Sequence, residues 1–187
     1  MTAYFKCQLV DYVEYHRDPR NCAMHVFGIL FLFLAAVLPL SLWRIDTLGG
    51  GITAASIMVL PVLIYWCLLD APIGAAIVGV ALVLLSNAGI IVNYVTAAGV
   101  WAISAVLILL GVGFQVVGHR VFERRQPALV DNPTHLLLGP MFVMAKLFIA
   151  LGYRHDLATI INPVPQRALR GPSVSSEDRQ GKQLPRS

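Results

Sequence analysis

Charge is what this 187-residue chain has least of: Lys, Arg, Asp and Glu together make up 13%, against roughly 25% in soluble domains. With 57% hydrophobic residues and a mean hydropathy of +0.72, that shortage excludes an ordinary water-soluble fold. Cysteine is scarce as well. Cys7, Cys22 and Cys67 form no CxxC pair, so neither a disulfide framework nor a thiolate metal site is expected. The N-terminus lacks the basic region, short apolar stretch and cleavage site of a removed signal peptide, which leaves the first span to act as the targeting signal. Basic residues lie mostly in connecting segments and the tail, where a net charge of +4 sets topology and does not suggest nucleic-acid binding.

Long apolar runs fill the space that charge leaves. About 20 mainly apolar residues cross a bilayer as a helix, and residues 26–43, 52–69, 73–92 and 98–117 form four such runs without one Asp, Glu, Lys or Arg. Short connections make antiparallel neighbours of them. Gly74, Ala75, Ala76, Gly79 and Ala81 in the third run suit close helix packing. A fifth run, 136–151, is interrupted by Gly139-Pro140 and Lys146 and reads as interfacial or re-entrant. The expected fold is therefore all-α: a polytopic membrane bundle of four transmembrane helices plus that fifth helix, one domain over 1–160, with a disordered tail over 161–187. Four crossings place the basic N-terminal segment, the 118–135 segment and the tail on one side. The positive-inside rule makes that side, and both termini, cytoplasmic.

All five histidines, His16, His25, His119, His135 and His155, fall outside the four runs and on that same side. Neutral imidazole ligates Fe, Zn or Cu, although a histidine at a membrane interface is also an ordinary polar contact. His16 and His25, nine residues apart, need a break between them to share a site, and Asp18-Pro19 supplies it. His119 and Glu123 stand at i and i+4, on one face of a helix. Tyr12 and Tyr15 read as interfacial anchors, Asn21 as a helix cap, Asp131-Asn132-Pro133 as a turn, and His155 as part of the tail.

The segment from Tyr15 to Asn21 (YHRDPRN) with His25, and the segment from Gly113 to Leu129 (GFQVVGHRVFERRQPAL), resemble the signature of the 2-hydroxy fatty acid dioxygenase family. Its fungal members act in alpha-oxidation at the endoplasmic reticulum, and its bacterial relatives were long known as a domain of unknown function. The resemblance spans about the first 155 residues. It implies an Fe(II)-dependent enzyme that uses O2 to shorten a long-chain 2-hydroxy fatty acid by one carbon with loss of CO2. His16, His25 and His119 match the family histidines as iron ligands, with His135 a possible fourth. Glu123, Asn21 and Gln115 would orient imidazoles or bind oxygen species, and Arg124 or Arg125 would pair with the substrate carboxylate. Where fungal relatives carry an acidic residue in the fifth run, this chain has Ala145-Lys146, so any role of that carboxylate is missing. The chain would be a multi-pass protein of the inner membrane in a bacterium, or of the endoplasmic reticulum in a eukaryote.

Other readings remain at this point. His25 and His119 would suit the two axial positions of a haem, and a membrane scaffold without catalysis is the broad alternative. The absence of ionisable residues inside the runs argues against a transporter. Five histidines are too few for a di-iron membrane hydroxylase, which needs about eight.

Overall fold

A computed structural model describes residues 1–47, 50–124 and 134–161. Its helices are α1 (Ala3–Glu14), α2 (Pro19–Leu40), α3 (Ala54–Leu69), α4 (Ala71–Tyr94), α5 (Ala97–Val117), α6 (His135–Ala150) and α7 (His155–Ile161). A π-helical turn, Gly118–Glu123, continues α5, and an antiparallel hairpin of β1 (Arg44–Thr47) and β2 (Gly50–Thr53) joins α2 to α3. The all-α bundle expected from the apolar runs is present.

Among the described residues, three helices are long and apolar enough to cross a membrane: α2, α4 and α5 with its extension. α3 is equally apolar, but its 16 residues rise only about 24 Å, so a count of four full crossings is approximate. The run at 26–43 begins earlier than expected. The Asp18 carboxylate caps α2 by accepting from the Arg20 N–H at 2.8 Å, and Pro19 fits the first helical position, where no amide is needed. His25 consequently sits inside α2, and His119 on the continuation of α5, so these two are not outside the span helices as the apolar runs suggested.

Glycines set how near the helices approach. A methyl group on Gly28 would meet the Gly111 carbonyl at 3.1 Å, and one on Gly111 the Gly28 carbonyl at 3.2 Å, so α2 and α5 cross with their backbones in contact. Gly74 does the same for α4 against Cys67 of α3, whereas Gly79, expected to pack likewise, faces open space.

α1 was not legible as a helix in a polar N-terminal segment. It buries Phe5, Leu9, Tyr12 and Val13 on one face against α6 and α7. α6 and α7 meet at a 119° bend. The start of α6 receives the Trp66 indole N–H on the Leu137 carbonyl at 2.7 Å, its fourth turn brings the Lys146 ammonium 3.0 Å from Cys22 Sγ, and Arg154 after it reaches Asp70. Trp66, Cys22 and Asp70 all lie near the end of the bundle where His25 and His119 are found, so both ends of α6 pack there. The shallow fifth helix expected at 136–151 matches this packing.

Asp70 fastens that end. Its side chain caps α4 through the Ile73 N–H at 3.2 Å, takes a bidentate pair from Arg154 at 2.7 and 2.9 Å, and lies 3.4 Å from the N-terminal ammonium. Burial alone would raise its pKa, but the Arg154 and amide hydrogen bonds hold it below the ordinary carboxylate value. α7 then closes the core with Leu157 and Ile161. His155, expected in the tail, opens this helix and is exposed. Arg125, the segment Gln126 to Leu129, Asp131-Asn132-Pro133 and the tail from 162 lie outside the described residues.

Candidate metal centre

Three segments distant in sequence deliver three buried imidazoles to one point. His16 follows α1, His25 lies on the second turn of α2, and His119 on the π-helical turn. They are 2%, 6% and 2% exposed. His25 Nε2 stands 3.1 Å from His16 Nε2 and 3.0 Å from His119 Nε2, and the three ligand atoms lie within 4.8 Å of one another.

The protonation pattern makes this convergence informative. His16 Nδ1 is 2.9 Å from the Tyr12 carbonyl, which can only accept, so Nδ1 carries the proton and Nε2 presents a lone pair. Burial, then the charge interaction with His25, pushes the His16 pKa down to about 2, so the ring is neutral at physiological pH. Three inward nitrogens have at most one or two N–H groups to share among them. A cation satisfies all three lone pairs at once. Two nitrogens each about 2.1 Å from a metal and about 90° apart are separated by about 3.0 Å, which matches both measured distances. The donor set thus fits a divalent metal held by three imidazoles.

The surroundings fix the rings. Tyr12, expected to be an interfacial anchor, is instead 3% exposed and stacks on His16 with ring centroids 4.0 Å apart and planes at 7°. Asn21 does not cap α2, a task Asp18 performs. It is fully buried, and its Nδ2 donates to Glu123 Oε1 at 3.2 Å. The same carboxylate oxygen accepts from the Asp18 backbone N–H at 2.8 Å. Glu123 therefore ties the π-helical turn to the start of α2, a contact that the i, i+4 reading of an α-helix did not show. The Arg124 N–H closes that turn on the His119 carbonyl, and Arg20 lies over the Phe122 ring at 4.7 Å. Gly118 permits the approach, because a methyl group there would collide with Asn21 Oδ1.

A cavity of about 250 Å³ opens from the three histidines. Gln115, Tyr12 and His135 supply further polar groups to its wall, and Ile29, Leu32, Val112 and Val116 an apolar stretch. His135 is 5% exposed and sits edge-on to Tyr12, but it is not one of the converging ligands. Arg124 is exposed and does not line the cavity. Tyr12 and α1 are the parts of the site that sequence reading missed. The spacing of Phe5, Leu9, Tyr12 and Val13, at i, i+4, i+7 and i+8, was the available signal.

A family model described as 2-hydroxy-palmitic acid dioxygenase Mpo1-like matches residues 2–151. The chain is 33% identical over 170 residues to the 2-hydroxy-palmitic acid dioxygenase MPO1 of Saccharomyces cerevisiae, covering 88% of this chain and 93% of the yeast protein. No solved structure matches.

Proposed function

The chain belongs to the Mpo1-like family of 2-hydroxy-palmitic acid dioxygenases, and from that premise we propose that it is an Fe(II)-dependent dioxygenase of long-chain 2-hydroxy fatty acids. The reaction balances as 2-hydroxy acid plus O2 giving the acid one carbon shorter, CO2 and water. The observation that carries this reading is the meeting of three buried imidazoles at the head of an apolar cavity.

His16, His25 and His119 would hold the iron. When bound, it would supply open positions for O2 and for the carboxylate and hydroxyl of the substrate, whose adjacent oxygens suit chelation. The Tyr12 carbonyl keeps the His16 proton on Nδ1, away from the metal side. Asn21 and Glu123 hold α2 against the π-helical turn, which fixes His25 relative to His119. Gln115 and His135, on the cavity wall, are placed to hydrogen-bond the polar head of the substrate. That assignment replaces Arg124, whose exposed position leaves it a role in topology. The apolar helices make this a membrane protein. Arg17, Arg20, Arg120 and Arg124 at the histidine end support a cytoplasmic orientation for that face and for both termini.

The test is reconstitution in lipid. Metal-free protein loaded anaerobically with Fe(II) should, on admission of O2, convert a 2-hydroxy acid into the acid one carbon shorter with one CO2 per O2 consumed. Full iron loading with no consumption of O2 in the presence of any 2-hydroxy acid would overturn the proposal.

A further inference from the structure

The wall of the cavity has a direction. His25, Ile29 and Leu32 follow one another at i, i+4 and i+7 along α2, and on antiparallel α5 and its extension His119, Val116 and Val112 do so in reverse. Together they form a groove parallel to the helix axes, polar where the helices emerge and apolar below. From His25 to Leu32 the rise is about 10 Å. α6 covers only the upper part, through His135, Leu136 and Gly139. Lower down, Val112 and Val116 are nearly half exposed on the outer surface of the bundle, on a helix long and apolar enough to cross a membrane. The backbone contact of Gly28 with Gly111 leaves no passage between the two helices, so the groove continues sideways.

We propose that this groove seats the first methylenes of one acyl chain, aligned with the bilayer normal and with its head at the histidines, while the rest of the chain leaves laterally into the lipid. The inference rests on the dioxygenase reading for the identity of the head group and adds what that reading leaves open. The site selects the 2-hydroxy acid head and is indifferent to chain length once the groove is full. An all-trans chain advances about 1.2 Å per bond, as extended polypeptide backbone does, so about 10 Å of groove holds about eight methylenes. Methylenes beyond these exchange lipid for lipid and contribute nothing further to binding, unlike transfer from water, where each is worth about fourfold.

The experiment is photolabelling of iron-free protein in phosphatidylcholine nanodiscs with 2-hydroxy fatty acids that carry a diazirine either near the head or near the tail end. Near-head probes should label Ile29, Leu32, Val112 or Val116, and tail-end probes should label lipid. Labelling of the protein by tail-end probes at one defined site would show a closed pocket and overturn the proposal, as would failure of near-head probes to label the groove. Because labelling needs no turnover, groove labelling by near-head probes combined with no O2-dependent turnover of the iron-loaded protein would sink the dioxygenase reading and leave this one standing. A second measurement uses Val112→Trp, which places an indole across the lower exit. In iron-loaded protein it should reduce turnover of long-chain relative to short-chain 2-hydroxy acids at least tenfold with unchanged iron content. An unchanged ratio, or a sharp length optimum in the wild-type protein at constant surface mole fraction, would contradict the lateral exit.

Discussion

At the residue scale the decisive atoms are three Nε2 lone pairs, and what matters most about their neighbours is how they keep those lone pairs aimed. Glu123 makes this testable, because it touches no imidazole in the cluster yet receives hydrogen bonds from both Asp18 and Asn21. Glu123→Ala should weaken iron binding by about ten- to hundredfold, the usual cost of losing an orienting partner, while Glu123→Gln, which keeps an acceptor oxygen, should lose less. Competitive titration with a chelator measures both. Gly118→Ala should act in the same direction by forcing Asn21 away from the π-helical turn. At this scale the sequence was a good guide to the three histidines that converge and a poor one to their supports. His16, His25 and His119 stand in motifs that can be read along the chain, whereas the stacking of Tyr12 on His16 and the Glu123–Asn21 bond depend on how separate helices pack. The π-helical turn changes the direction of Glu123 in a way that no i, i+4 count anticipates.

Among the helices, those that cross lipid were legible because hydrocarbon demands uninterrupted apolar length and internal backbone hydrogen bonding. α1 and α7 were not, because short helices are stabilised by partners elsewhere in the chain. The junction at Asp70 is the main such partner: Arg154 reaches it across 84 positions. Arg154→Ala would leave Asp70 a buried carboxylate without its guanidinium, a loss of about 3 kcal/mol or more, seen as a lower Tm and faster proteolysis around α7. The sign of the pH dependence follows. The Asp70 pKa is lowered in the folded state, so its contribution is complete above the unfolded carboxylate value of about 4 and is lost as pH falls below it. Thermal unfolding of the protein in detergent should show Tm decreasing below about pH 4, and Asp70→Asn should flatten that limb while lowering the plateau.

For the whole molecule, the arrangement is a bundle whose chemistry is concentrated at one end. α2 and α5 cross, α1 and α6 close over the histidine end, and the 119° bend between α6 and α7 lays α7 against the core. Small tags at the N- and C-termini should accordingly be protected or exposed together in sealed inside-out or right-side-out vesicles, and labelling of the two from opposite faces would show that α6 crosses. The measurement that bears most directly on the three-histidine centre is the iron content of purified protein reconstituted with Fe(II), compared with that of His16→Ala, His25→Ala and His119→Ala. Wild type should bind one iron per chain with three imidazole nitrogens in its X-ray absorption spectrum, and each variant should lose that iron together with O2-dependent turnover. Retention of the full complement of iron with an unchanged spectrum in the three variants would contradict the assignment.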